Sequence, residues 1–482
     1  MPKQNDEDTI LLRLANLAKK HTEFIKDNQN KVYAKIEING IKHIYPLKSS
    51  MYENWLSAIW YATNDNIAST NILGNVIQHL DGWSIFAAKL ERVGLRVLSS
   101  NDFIEIDLGN DDWTSVQINK EGWKIDKHRG CFYRSKGMQA LPIPNKEAPH
   151  NVEWLDLIMN LGDTKEKLLL VGWLLGCFMP DGAFPVLILQ GEQGSGKSNL
   201  ASMLRSLVDP TNADKTSFPS SERDFFIQAH NNYLMSFDNQ RTLRKHHSDW
   251  LCRMATGSGY AARKLYTNHE EESFFMRRPI ILNGITQIAG QPDLIDRSVF
   301  INLKAIPADK RKTEQEIWSL FNAIKPGMFA KICNALVKIL GTKAEKHKEL
   351  PRMADFALFV SKAESLFTWK KSDFITAMNE SRKEALEQLN EYDMFLSMIV
   401  ELAEANKKHS FVFLGSPKEL FESLVNKLPN KVSRSEFPDS PASMSKRLNM
   451  LKPVLREKGI GVEDRRSNGR RLKKLLDRKS VV

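Results

Sequence analysis

The chain has 482 residues, of which 42% are hydrophobic and 26% charged, and its formal net charge is +11. That length points to about three domains, and that composition to a globular protein with apolar material for more than one core. No apolar run reaches the ~18 residues of a membrane helix, the start (MPKQNDEDTI) lacks the pattern of a secretion signal, and Cys131, Cys177, Cys252 and Cys333 form no CxxC pair, so a membrane span, a disulfide framework and a zinc ribbon are not expected, and a cytoplasmic location is.

In chain order, the first 30 residues or so read as a charged helix. Val32–Ile38 (VYAKIEI) alternates like a strand, Asn39-Gly40 is a hairpin turn, and IKHIYPL is the partner strand. A helix with Trp55, Ile59 and Trp60 on one side, a second helix, and the alternating runs RVLSS, DFIEIDL and TSVQINKEGWKID complete an α+β unit over 1–148. Trp113 and Trp123 are expected in its core. A boundary falls in the Pro-rich LPIPNKEAPH. Two helices follow over 150–180. AFPVLILQ is then the short, wholly apolar run of a buried parallel strand. Further strands are expected at Tyr233–Phe237, Pro279–Gly284 and Ser298–Leu303. The fold class is α/β: a P-loop core with a parallel sheet over 149–345, a helical segment over 346–405, and a C-terminal domain over 406–482.

The apolar run feeds into GEQGSGKS, which fits G-x-x-x-x-G-K-[ST] in full. Gly191, Gly194 and Gly196 let the backbone curl so that N–H groups face phosphate oxygens. Glu192, Gln193, Ser195 and Asn199 complete the loop and its exit. Lys197 brings a cation to the outer phosphates, Ser198 a hydroxyl to Mg²⁺, and the helix that begins here its positive end. The cofactors implied are ATP and Mg²⁺. The apolar strand ending in Asp238 supplies a carboxylate for the metal. Where many ATPases place a second acid, Asn239 stands. Asn283, at the tip of PIILNG, is placed to position the attacking water. Arg297, before SVFINL, is placed to reach the γ-phosphate of a neighbouring subunit; a surface ion pair with Asp293 or Asp296 is the alternative. Between them, Arg263, Lys264 and His269 fall on a hairpin suited to a nucleic-acid backbone.

From Pro441 to Val482 there are 13 Lys and Arg against 4 Asp and Glu. Such clustering is the footprint of a nucleic-acid binder. Ser416, Pro417 and Glu419 open a helix. SPASMSKRLNMLKPVLREKGI is a second helix, and GIGVEDRRSNGRRLKKLL a ribbon turning at Asn468-Gly469. Helix–helix–ribbon resembles a winged-helix DNA-binding domain, with Lys446, Arg447, Arg465, Arg466, Arg470 and Arg471 as candidate contacts. A protein-docking module is the alternative.

Taken in order, GEQGSGKS, FDN, TGSGYAARK, ILNG and the Arg of LIDRSVF resemble superfamily III helicases of the AAA+ class, and most of all the primase–helicase-type ATPases of prophages and phage satellites. The resemblance implies a homo-oligomeric ring, a hexamer, with ATP at subunit interfaces, Lys197, Ser198 and Asp238 acting in cis, Asn283 as the water-sensing residue and Arg297 as a finger in trans. It implies single-stranded DNA in the channel and duplex origin DNA on the C-terminal domain. No primase motif is visible, so a separate primase is the expected partner. A DNA-binding initiator or helicase loader without processive unwinding is the alternative function.

Overall fold

The computed structural model describes residues 2–147, 161, 164–180, 182–240, 243–263, 271–284, 290–343, 345, 347, 349–367, 369–406, 412–428, 437–467 and 470–477. The chain begins with helix α1 (Pro2–His21), strands β1 (Thr22–Lys26), β2 (Val32–Ile38) and β3 (Ile41–Pro46), helices α2 (Ser50–Asn64) and α3 (Thr70–Ala87), and strand β4 (Lys89–Leu90). The sheet runs β3-β2-β1-β4. Asn39 and Gly40 both have positive φ, 52° and 78°, the primed-turn geometry whose twist matches a two-residue hairpin. Leu14, Val32, Ile36, Leu56, Trp60 and Leu80 form a core of their own here. The opening helix is shorter than its charge pattern suggests. Thr22–Lys26 leaves it to pair with β2, a five-residue strand too brief to announce itself by alternation.

Strands β5 (Val93–Gly94), β6 (Val97–Ser99), β7 (Ile104–Asp107), β8 (Thr114–Asn119), β9 (Gly122–Lys127) and β10 (Cys131–Phe132) follow. The middle four form an antiparallel meander, and β5 pairs with β10. This meander does not join the N-terminal core. Ile104, Ile106, Val116 and Ile118 share a core with Trp173 and Phe329 of the segment beyond residue 160. Arg96, with its side chain fully buried, reaches across to Asp209 at 3.0 Å. The unit expected over 1–148 thus divides between two cores. Trp123 is partly buried against the larger core rather than in one belonging to the N-terminal unit alone, and donates to Asn334 at 2.8 Å. Trp113 does not. It lies beside His43, ring centroids 4.2 Å apart, with the Arg134 guanidinium 3.9 Å from its own ring centre.

The central segment comprises α4 (Thr164–Gly176), β11 (Val186–Gly191), α5 (Lys197–Val208), α6 (Glu222–Asn231), β12 (Met235–Gln240), α7 (Lys245–Thr256), β13 (Ser258–Arg263), β14 (Glu271–Met276), β15 (Ile280–Gly284), α8 (Pro292–Ile295) and β16 (Ser298–Leu303). Its sheet is parallel, in the order β12-β15-β11-β16. Both faces are covered, which is why β11 reads as an unbroken apolar run. Leu187 and Leu189 enter the core shared with the meander, while Val186 and Ile188 enter a second core on the opposite face. β13 and β14 form an antiparallel hairpin standing apart from this sheet.

Helices α9 (Glu314–Gly341), α10 (Ala354–Ser361), α11 (Asp373–Tyr392) and α12 (Met394–Ala405) come next. The chain closes with β17 (Phe413–Gly415), α13 (Pro417–Val425), α14 (Pro441–Glu457), β18 (Ile460–Ser467) and β19 (Arg470–Asp477), the strands ordered β17-β19-β18. The capping box read from Ser416 and Glu419 is present in both directions, a contribution of about 1 kcal/mol to a short helix. Leu420, Leu448 and Leu475 bury into the second core of the central sheet. No described helix is long and apolar enough to cross a membrane.

Candidate nucleotide-binding site

β11 ends at Gly191, and the chain turns through Glu192–Gly196 into α5. A Cβ on Gly191 would lie 2.3 Å from the Leu303 carbonyl oxygen of the neighbouring strand, so glycine is what allows β11 and β16 to end side by side. Gly194 and Gly196 have φ of 79° and 82°, left-handed values that other residues adopt only at a cost. Glu192, Gln193 and Gly194 are exposed, Ser195 is buried, and Asn199 lies half-buried in the first turn of α5. Lys197 Nζ is drawn back over the loop, donating to the carbonyls of Gly191 (2.8 Å) and Glu192 (2.6 Å) and to Ser195 Oγ (3.0 Å). Burial lowers its pKa, and the Asp238 carboxylate opposes that effect.

The strand order brings the remaining candidates together. β15 lies between β11 and β12, so the tips carrying the P-loop, Asn283 and Asp238 are consecutive. Ser198 Oγ donates to Asp238 Oδ1 at 2.9 Å. A hydroxyl and a carboxylate joined in this way, beside a glycine cradle and a lysine, form an oxygen donor set that fits Mg²⁺ with a nucleotide's phosphates. Asn283 is 2% exposed. Its Oδ1 accepts the backbone N–H of Asn239 at 2.6 Å, and its buried Nδ2 has no partner among the described residues. An orphaned buried amide of this kind is a fixed donor available to a ligand or water.

Asn239 has a different explanation from the one its position offered. Its φ is 54°, and the β12–β15 register shifts at this point. Asn tolerates that conformation better than most residues. Its side chain is exposed, and its contact with Asn283 runs through its backbone. Asn239→Gly should therefore leave ATP turnover within about twofold, whereas Asn283→Ala should lower kcat about tenfold or more with little change in nucleotide affinity. Steady-state phosphate release on the two variants checks both.

Arg297 is not near its own P-loop. Its carbonyl accepts the N–H of Val186, the first residue of β11. The loop follows that strand's far end, about 17 Å away at the ordinary strand rise. In this chain Arg297 forms an ion pair with Asp293, and Nη1 also donates to the Asp293 carbonyl at 2.9 Å. Its Nε is buried without a partner among the described residues. Arg352 shares Asp293 at 3.3 Å and also meets Asp296. Arg382 bridges Asp296 to Glu457 at the end of α14. Arg311 was likewise unsignalled. Its guanidinium stands 3.9 Å from where a Cβ on Gly194 would lie.

Of the candidate DNA contacts, Arg263 ends β13, opposite Glu271. Lys264 and His269 lie outside the described residues, as do the Asn468-Gly469 turn and the side chains of Arg470 and Arg471. Lys446 and Arg466 are exposed. Arg465 is exposed in a surface pair with Glu463. Arg447 is a correction: its guanidinium holds Asp393 at 2.9 Å and lies over the Phe395 ring, tying α14 to α12 rather than standing free for DNA.

Residues 152–381 match a family model described as actinomycete integrative conjugative element replication protein, and residues 395–480 match the AICE RepA C-terminal domain. The whole sequence matches no curated protein. Among solved structures, the chain is similar to the apo A form of the NrS-1 C-terminal region at 13% identity and a TM-score of 0.43, covering 96% of this chain and 98% of that one. It is also similar to the JCV helicase at 16% identity and a TM-score of 0.27, covering 53% of this chain and 64% of that one. By its two family matches, the chain is similar to the replication proteins of actinomycete integrative conjugative elements over both its central sheet and its C-terminal module.

Proposed function

We propose that the protein is an ATP-dependent DNA helicase and initiator that replicates a mobile genetic element, working as a ring of identical subunits, a hexamer, with ATP held at each interface. The observation that carries this reading is the meeting of Ser198 and Asp238 beneath a glycine-lined loop, one strand away from a buried Asn283 with an unused donor. The two replication-protein matches support the setting. In this reading Lys197 releases its loop carbonyls and takes the outer phosphates. Bound Mg²⁺, held through Ser198 and Asp238, neutralises charge on the phosphates. Asn283 orients the attacking water. Asp238 is the one acid of the pair expected in faster ATPases. Arg297 from the next subunit meets the charge that develops on the γ-phosphate.

The C-terminal helix–helix–ribbon, with β17 completing its sheet, is assigned to duplex DNA as a winged helix. α14 enters the groove, and the β18–β19 ribbon touches phosphates. Substituting Lys446, Arg465 and Arg466 together by Ala should weaken duplex binding and flatten its salt dependence by about 2 to 3 units of log–log slope, at ~0.9 for each phosphate no longer neutralised. Titrations at several salt concentrations measure that slope; an unchanged slope would assign the module to protein docking instead.

Strand displacement on a forked DNA with ATP and Mg²⁺ tests the whole reading, with Lys197→Ala alongside and phosphate release followed in the same reaction. Unwinding by the wild type alone is the expected result. ATP turnover without unwinding would replace the helicase with an initiator or loader.

A further inference from the structure

A cavity of about 790 Å³ lies between the N-terminal lobe and the nucleotide core, and none of the P-loop residues lines it. Its walls come from the β1–β2 turn, from β5 and β6, from the end of α6, and from Met276, Arg277 and Arg278, the link between β14 and β15. That volume suits a nucleotide-sized ligand.

Arg278 is the decisive group. Its Nε donates to the Ala229 carbonyl at 2.8 Å and its Nη1 to the Arg277 carbonyl at 3.0 Å. Among the described residues, no carboxylate forms an ion pair with it. The acids nearby are already committed. Asp27 accepts the N–H groups of Gln29 and Lys31 and the Tyr33 hydroxyl. Glu91 is held by Lys89 at 2.8 Å and by the Cys131 thiol. Asp209 is held by Arg96 and by the N–H groups of Tyr233 and Leu234. Burial depresses the pKa of Arg278, and Tyr233, Asp209 and Tyr33 oppose that effect. The cavity's histidine reports the same field. Burial, then the charges of Lys31 and Arg278, push His230 down to about 4, so it is neutral at pH 7 and adds no positive charge of its own. Arg278 is half-buried, makes no ion pair among the described residues, and borders a space large enough to admit an anion.

We propose that this cavity is a second anion site, separate from the P-loop, which takes a phosphate ester with Arg278 as its fixed cation. The rings of Tyr33 and Tyr133 on the same wall, 6.4 Å apart between centroids, offer apolar surface to the rest of such a ligand. The phosphate belongs either to a free nucleotide or to a DNA strand; the chemistry is shared. Arg278 sits two residues before β15, the strand that carries Asn283, and two after β14 of the hairpin. Occupancy would therefore bear on both. This inference does not depend on the P-loop being catalytic.

The test uses full-length Lys197→Ala protein, which weakens phosphate binding at the P-loop, with inorganic pyrophosphate and a fluorescent oligo-dT as probes. Thermal melting and equilibrium binding are read for this protein and for versions that also carry Arg278→Met or Arg278→Lys. The expected result is that at least one probe binds the Lys197→Ala protein. Arg278→Lys, which keeps a charge but not the planar fork, should weaken that binding about tenfold, and Arg278→Met should weaken it further. Loss of pyrophosphate binding would assign the site to free nucleotides, and loss of oligo-dT binding alone to a strand. If Arg278→Met does not fold, Arg278→Lys decides. Neither probe binding, or binding unchanged by both Arg278 substitutions, overturns the proposal.

Discussion

Arg297→Ala is expected to leave nucleotide binding intact and to lower ATP turnover by about 10³-fold, the scale of losing an arginine that stabilises the transferring phosphate. The reason is positional. Arg297 lies at the start of β11 and β16, while its own P-loop lies beyond the other end of β11, so it does not serve the phosphate of its own loop, and the proposed ring gives it that of a neighbour. Mixing Arg297→Ala with Lys197→Ala protein tests this directly. The first keeps its P-loop and the second keeps its finger, so a randomly mixed ring should recover about a quarter of wild-type turnover from its intact interfaces. A mixture as inactive as its components would reduce Arg297 to what it also is in the single chain, the partner of Asp293.

Lys197→Ala should abolish turnover, by about 10²-fold or more. In the chain alone, Nζ is occupied by two carbonyls and a hydroxyl of its own loop. Its removal therefore loosens the loop as well as removing the phosphate's cation. Nucleotide-dependent thermal stabilisation should fall along with phosphate release. Persistent ATPase activity in this variant would refute the site assignment altogether.

Much of this architecture was legible locally. The apolar run before GEQGSGKS is β11, SVFINL is β16 residue for residue, and the Ser416–Glu419 cap is where its spacing placed it. These features depend on neighbours a few positions apart, which is the range a pattern can report. What the sequence did not report depends on distant partners. Arg447 looked like a surface contact because Asp393, 54 positions away, cannot be seen to approach it. The partner of Arg352 cannot be read from the sequence because Asp293 reaches it only after folding. Asn239 reads as a substituted acid, and the sequence does not report that it stands at a positive φ and a register shift. The alternation of β6 to β9 was plain, but not which core it would fill. Period-two patterning names a buried face without naming what buries it.

The placement of that meander has a practical meaning for the gene. A fragment starting at residue 149 would keep every nucleotide motif yet remove the strands that cover Trp173 and Phe329 and the arginine that occupies Asp209. It would expose a bare apolar wall and a buried acid without its cation, the combination that drives aggregation in a partly folded chain. Recombination that exchanges the front end of such a protein should fail when the crossover falls in the Pro-rich stretch that the eye picks out as a linker.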